Sequence, residues 1–586
     1  MSEAATPTST HQFADAGVAP MLFCLLVALT PLVFAAQLFE PYIAAKEILV
    51  QVGTAALGLV WLLTARSKSL LLTPGWIPLI ALVAIGFASA AWSSHPTISL
   101  EEGFRLLPYL LLFGLALNLM RAAEMRLALT SALIIAGTIE AVYVLLQYFF
   151  GDPFFATEGL DGKWQTFGTL GNPNWAGEFL AVAALVTLGR LMDLRHTHSD
   201  QPWLTRGTLC AFVLMLAALA ATLARGAWLA FLVAVAAFFI IRRRDKSEWF
   251  KSKKLAAAVL AGLAAIVVIA WPLITRQAAV NHLLNVESVR GRVWMWSVTT
   301  TMIKDAPLLG HGLGTYALQF PPYQARAFAE PGAETFLTNA SFTSFAHNDY
   351  LQVWAELGLF GLLAIAAFVW LVLKRGRALA DDPVALGCWA ALISIFVNAL
   401  FAFPIHLPTT LMLLAVLTGA VEATVCKNEA AFPKPAAGRY ASILLVSIVS
   451  LFAFNYAYHR LSAESALWRA HIALQTGSWD EADSSARAAI RHAPTRDDGY
   501  AALGRLHLEL GNHRQALDAF DQALKLGFDA DVYEGKAIAL ELSGQRQAAV
   551  ATLNELIRLR PDLTSPRLHL ARLNGSTDGP EEENHE

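Results

Sequence analysis

Apolar runs near the length of a bilayer-spanning helix recur through the first 460 residues, and no other feature constrains the fold as strongly. About 20 such residues cross the hydrocarbon core, where a helix satisfies its own backbone hydrogen bonds. Thirteen windows qualify, at roughly 20–38, 45–64, 76–92, 104–120, 127–150, 176–192, 207–223, 227–241, 255–274, 350–373, 384–402, 408–425 and 440–458. Only 15% of the 586 residues are charged against 56% hydrophobic, a balance outside that of ordinary soluble domains. The expected fold is all-α, a polytopic helical bundle of about 12–13 spans. A net charge of −3 gives no electrostatic basis for binding nucleic acid. Cys24, Cys210, Cys388 and Cys426 sit in or beside apolar runs without metal-ligand spacing and read as small core residues. Residues 1–19 lack Lys and Arg and read as a disordered N-terminus without a cleavable signal, so the first span serves as an uncleaved insertion signal.

Loop charge orients the bundle. One alternate set of loops holds Arg66 and Lys68, Arg121 and Arg126, Arg190, Arg195 and Arg206, the run "RRRDKSEWFKSKK" (242–254), "KRGR" (374–377), and Lys427, Lys434 and Arg439. The short loops of the other set hold few basic residues: Lys46, Arg105, Lys163 and Arg225. The positive-inside rule makes the basic set cytoplasmic, with the N-terminus inside and everything after residue 460 outside. Two outer loops are long, at about 151–175 and 275–348. In the second, "SVRGRVWMWSVTTTMIKDAPLLGHGLGTY" predicts a helix over 288–304, then a turn at Pro307, Gly310, Gly312 and Gly314.

After the last span the pattern changes. Gly477, Gly511 and Gly544 each have an alanine five residues on (Ala482, Ala516, Ala549), at spacings of 34 and 33 residues. That is the tetratricopeptide period, with small residues where paired helices touch. The expected division is a membrane domain at 20–460, repeats at 461–575 and an acidic tail at 576–586.

The chemistry candidates gather on the outer face. Arg225 lies in the turn "TLARGAWLA", Arg290 and Arg292 in the long loop, and His347 where that loop re-enters the membrane. Asn172 and Asn174 lie in "GTLGNPNWAGEFL", His311 in "GHGLG", and His406 in the turn "FPIHLPTT". Two converging guanidinium groups could hold a diphosphate without a metal, and a neutral imidazole could take a proton from an incoming hydroxyl. Plainer readings stand beside these: Arg225 as a snorkelling anchor, Arg292 stacked on Trp296, His311 as a turn residue, and His406 as ordinary surface. Glu40, Glu101 and Glu102 do not form a convincing outer acidic metal site, so neither metal nor cofactor is implied.

These stretches resemble the O-antigen ligase and polymerase superfamily. The long-loop stretch resembles its signature of an Arg, a Trp and a "PLLGxGxG" turn. "FAHNDYLQVWAELGLFG" (345–361) is similar to its His-Asn, Leu-Gln, Glu-x-Gly-x-x-Gly element, and the Arg225 and Asn172–Asn174 stretches are similar to its Arg-Gly-Ala turn and Gly-Asn-x-Asn element. The resemblance covers roughly residues 20–425 and implies a GT-C-like inner-membrane glycosyltransferase with a large periplasmic loop. The implied donor is a glycan on undecaprenyl diphosphate. The implied acceptor is lipid A–core, a glycan or a protein hydroxyl, and the family's ligases are regarded as metal-independent. Carried over by motif, Arg225 and Arg292 contact the diphosphate and His347 activates or orients the acceptor; Arg290, two residues off the motif position, carries less weight. Ligase, polymerase and protein O-oligosaccharyltransferase remain open, since the motifs do not encode the acceptor. A transporter of lipid-linked sugars would place its ionisable or broken segments near mid-membrane, and here the candidates cluster at one face. An outer repeat array also points to a protein partner.

Overall fold

A computed structural model describes residues 18–64, 69–71, 73–154, 165–197, 201–242, 287–339, 343–426, 429–431 and 436–575. The expected span at 255–274, the basic run at 243–254, the N-terminal 17 residues and the acidic tail lie outside the described residues.

Twelve of the thirteen apolar windows coincide with a helix. The bundle opens with α1 (Val18–Leu29), α2 (Ala44–Thr64), α3 (Trp76–Ser89), α4 (Pro96–Leu119) and α5 (Ala123–Phe150). It continues with α6 (Pro173–Thr197), α7 (Pro202–Ala221) and α8 (Arg225–Arg242). After the loop helices α9 (Glu287–Asp305) and α10 (Tyr316–Phe328) come α11 (Asp349–Arg375), α12 (Pro383–Asn398), α13 (Pro408–Val425) and α14 (Ala436–Thr476). Eight of the described helices are long and apolar enough to cross a membrane (α2, α5, α6, α7, α8, α11, α13 and α14), and α1, α3 and α12 are shorter apolar helices. Helix α6 is the centre of the bundle, packed by α5, α7, α8 and α12. Every residue from Phe179 to Val186 is buried, which is why this helix reads as apolar all round rather than on one stripe.

The two ends of the bundle differ in kind. At one end the basic loops meet: Arg126 pairs with Asp382 at 3.5 Å, Arg242 donates to the Ala380 carbonyl at 3.0 Å and Arg375 pairs with Glu422 at 2.7 Å. A short antiparallel ribbon joins β1 (Ser69–Leu71) to β2 (Glu429–Ala431) at this end, the one strand pairing among the described residues. At the other end lie the long loop, the Arg225 turn and the 399–406 turn. Two of the sparse outer cations are not loop residues. Lys46 is buried in the first turn of α2, donating to the carbonyls of Val33 at 2.5 Å and Thr169 at 2.7 Å. Arg105 lies inside α4, paired with Glu102 at 2.8 Å and Glu47 at 3.4 Å. That neutralisation lets α4 begin at Pro96, eight residues before its apolar window.

Helix α14 runs unbroken for 41 residues, from the bundle into the first repeat. The boundary expected at 460 falls inside it. The array continues through α15 (Trp479–His492), α16 (Asp498–Glu509), α17 (His513–Leu526), α18 (Ala530–Leu542), α19 (Arg546–Leu559) and α20 (Ser565–Leu573). Gly477, Gly511 and Gly544 turn each pair, and Ala482, Ala516 and Ala549 are buried where the paired helices touch. Phe520 of α17 is fully buried, wedged against Gly504 of α16 and Gly535 of α18. Phe520→Ala empties that wedge and is expected to destabilise the array by about 3–5 kcal/mol. Thermal unfolding and limited proteolysis of residues 479–573 check this; unchanged protease resistance would contradict it. The array returns to the bundle at the loop end: Arg460 pairs with Glu40 and with Glu464 (3.3 Å), and Arg496 pairs with Glu464 (2.5 Å) and Asp498 (2.6 Å). Thr495 donates to Glu101 at 2.7 Å, so the repeats occupy the same face as the long loop.

Candidate active site

Helix α8 starts with Arg225, directly after a sharp turn. Leu223 adopts φ +51°, a left-handed conformation that costs a non-glycine residue roughly 1–2 kcal/mol. Neighbouring bonds hold it: the Thr222 hydroxyl accepts from Ala224 N–H at 3.3 Å, and the Trp228 indole donates to the Leu219 carbonyl at 2.8 Å. Arg225 therefore sits at a helix N-terminus, where backbone N–H groups and dipole already favour an anion. Its Nη2 donates to Ser288 Oγ at 3.3 Å, tying α8 to the first turn of α9.

Arg292 lies four residues after Ser288 and so on the same face of α9. Burial and the Arg225 charge both lower its pKa, so the two guanidinium groups act on each other. Among the described residues no carboxylate pairs with Arg292. Like charges held together in a half-buried site leave a local positive field with room to be neutralised by a ligand.

His347 adopts φ +50°, and its ring stands edge-on to Phe403 with centroids 5.0 Å apart. Its strained position is clamped from both sides. Ala346 donates to Gln352 Oε1 at 2.9 Å and accepts from the Trp296 indole at 3.1 Å, while Asn348 caps α11 by accepting from Leu351 N–H at 3.1 Å. Trp296 is one turn beyond Arg292, so the bond that fixes His347 also fixes the register of α9. Burial, and then the Arg292 charge, hold the imidazole down to about 4. It is neutral at physiological pH and able to accept a proton.

Phe403 and Asp349 complete this corner. Phe403 touches His347, stacks on Phe345 at 4.3 Å and meets Trp175 at 6.1 Å, which follows the Asn172–Asn174 turn. Asp349 is fully buried; its N–H donates to the Ala399 carbonyl at 2.9 Å and its Oδ2 accepts from Ile405 N–H at 3.0 Å. It thereby holds the turn that carries Phe403. His406 Nε2 lies 3.5 Å from Asp349 Oδ1, and burial with the Arg105 charge holds that ring down to about 3.

The other candidates serve local structure. Arg290 donates to the Thr335 carbonyl at 2.8 Å and lies over Phe336, on the opposite side of α9 from Arg292. Asn172 Oδ1 accepts from Asn174 N–H at 2.9 Å, forming the turn that starts α6. His311 is bound at Nε2 to the Met302 carbonyl at 3.0 Å and packs on Tyr323.

His311 belongs to an interlock that positions the whole loop. Helix α11 is broken at Gly358 (φ +65°, ψ −165°), which frees its backbone groups. The Pro307–Gly314 turn takes them: His311 N–H bonds Ala355 O at 2.9 Å, Gly312 N–H bonds Glu356 O at 2.8 Å, and Leu359 N–H bonds Pro307 O at 2.9 Å. The buried Glu356 carboxylate accepts from Gly314 N–H at 2.9 Å and Tyr316 N–H at 3.3 Å. Trp354 and Trp92 donate their indole N–H groups to the carbonyls of Pro307 and Leu309, each at 3.1 Å. The "PLLGHGLG" and "ELGLFG" stretches are thus two halves of one joint.

Residues 210–366 match the O-antigen ligase family, a stretch from α7 to just beyond the break in α11. Residues 497–526, the α16–α17 pair, match a tetratricopeptide repeat. No curated protein matches the chain. The stretch that matches the O-antigen ligase family, holding Arg225, Arg292, His347 and the interlocked loop, therefore sits within a multi-pass helical membrane protein with a tetratricopeptide repeat in its C-terminal part.

Proposed function

We propose that the protein transfers a glycan from undecaprenyl diphosphate to a hydroxyl acceptor at the periplasmic face of the inner membrane. The observation that carries this reading is the approach of two arginines and a neutral histidine at the loop end of the bundle. Residues 20–460 form the membrane-spanning transferase unit in this reading and 461–575 the repeat unit, with the active site and the repeats on the periplasmic side. Arg225, Arg292 and the N-terminus of α8 grip the diphosphate. The acceptor hydroxyl attacks the anomeric carbon and His347 takes its proton. The bond from that carbon to the diphosphate oxygen breaks, and the electron pair leaves with the polyprenyl diphosphate. The arginines oppose a positive imidazole while the site is empty. They stabilise the departing anion, and that anion in turn stabilises the imidazolium beside it. Charge neutralisation falls to guanidinium groups, so a divalent metal has no assigned step. Asn172, Asn174, Arg290 and His311 support this site through the loops that they order, and the repeats offer a surface to a protein partner.

The acceptor is lipid A–core, a growing glycan or a protein, and profiling the glycans of a deletion strain separates them. Unmodified lipid A–core is the expected outcome for a ligase, short oligosaccharide units for a polymerase and bare glycoprotein for an oligosaccharyltransferase. Normal profiles for all three would end the proposal. A pH profile tests the histidine. Because burial and Arg292 both disfavour the charged ring, kcat/KM for the free enzyme should stay level through pH 6.5, where an ordinary imidazole titrates, and fall only toward about 4. An acid limb near 6.5 that disappears in His347→Gln would contradict this assignment of the imidazole.

A further inference from the structure

Gln324 stands at a junction of three elements that are far apart in sequence. It is buried in α10, at 1% exposure. Its Oε1 accepts from the Trp294 indole at 3.2 Å, and its Nε2 donates to the Leu559 carbonyl at 3.2 Å. Trp294 lies on α9, two residues after Arg292, and its ring is held between Phe328 (4.3 Å) and Phe336 (5.2 Å). Leu559 ends α19, and its carbonyl is among those that a helix terminus leaves without an internal partner. Gln324 supplies that partner from the transmembrane domain's own loop, and α10 packs along α19 beside it. Severing the link strands a buried indole N–H and a buried carbonyl together. The near part of the array is tied to the bundle by the Arg460–Glu40 pair and by Thr495 on Glu101, so the array meets the bundle near both of its ends.

We infer that the third tetratricopeptide repeat braces the helix that carries Arg292, with Gln324 as the positioning residue that transmits the brace. The repeat array is then part of the transferase scaffold in addition to any partner surface. For its effect on transfer the inference rests on the role proposed above for Arg292; the brace itself is read from the motion of α9.

The test uses the full-length protein in nanodiscs, comparing wild type with Gln324→Ala and Gln324→Glu. Amide exchange over residues 287–305 should accelerate on the order of tenfold in Gln324→Ala. The donor KM should rise by a similar factor with the acceptor KM unchanged, whereas partial unfolding would lower kcat and leave both KM values alone. Gln324→Glu keeps an acceptor for Trp294 but presents Leu559 with a second acceptor once it ionises. Its exchange and donor KM should be near wild type at low pH and worsen as pH rises through the pKa of the introduced carboxyl, a step absent from Gln324→Ala. Unchanged exchange in both variants, or no pH step in Gln324→Glu, overturns the brace. Faster exchange with an unchanged donor KM keeps the brace and removes Arg292 from the diphosphate site.

Discussion

Arg292→Ala is expected to lower transfer by about 10²–10³-fold, the loss that follows removal of one preorganised group aimed at developing charge. The variant protein should remain in the membrane at wild-type abundance, because Arg292 has no carboxylate partner among the described residues to leave stranded. Lysine should restore part of the rate, since it keeps the charge without the planar donor fork. Arg292 also presses on His347, so its removal takes away one of the two causes that lower the imidazole. The acid limb of the pH profile should therefore move up toward 6.5 in the same variant. Loss of rate without that movement would place Arg292 at the donor but apart from the histidine. Combining Arg292→Ala with Arg225→Ala should cost less than the product of the two single losses, as expected for groups acting on one anion. Wild-type transfer by Arg292→Ala would remove the diphosphate assignment.

Gly358→Ala should be nearly as damaging, although Gly358 touches neither arginine nor histidine. A Cβ there would lie 2.1 Å from the Leu308 carbonyl oxygen, and one on Gly310 would lie 2.3 Å from that of Glu356. Both obstacles are backbone atoms within the joint, and both glycines have positive φ. Alanine at either position must push the Pro307–Gly314 turn out of the break in α11, at a cost of about 3 kcal/mol or more. Three inter-segment backbone bonds would then open, and α9 would lose its footing. Transfer should fall on the order of 10²-fold, with new protease cleavage between residues 300 and 340. A variant with normal activity and an uncut loop would show that the joint does not position the site.

Much of the bundle was legible because a lipid-facing helix must be apolar over its full length, and that leaves a mark in any window. The missing part of α4 was lost for the same reason. Glu101, Glu102 and Arg105 look like loop residues until Arg105 is seen paired with Glu102 and with Glu47, 58 positions away. The repeats were legible because one unit recurs with its turn glycine and buried alanine. Arg225 and Arg292 could be named as candidates because arginine is rare at a membrane boundary, and His347 because it lies where the long loop re-enters the bundle, in a stretch that resembles a family motif. What fixes them could not be named so readily. The joint at Gly358 is built of backbone atoms, which carry no side-chain pattern. Phe403 reads as one more aromatic beside a turn. Gln324 is a single polar residue whose partner in the repeats lies 235 positions away. The left-handed backbone of Leu223 and His347 is also hidden, because neither residue type announces it.

The unbroken course of α14 has a consequence for how such a chain can change. A flexible linker absorbs an inserted residue; a continuous helix converts it into rotation, about 100° and 1.5 Å for each residue added. One extra residue between Tyr458 and Glu464 would swing the array partway around the membrane normal and pull Arg496 and Gln324 off their partners together. Seven extra residues would nearly restore the azimuth but lift the array by roughly 10 Å. Exchange of repeat arrays between proteins of this design must therefore conserve helical phase at the junction, and sequence length there is set by an angle rather than by reach.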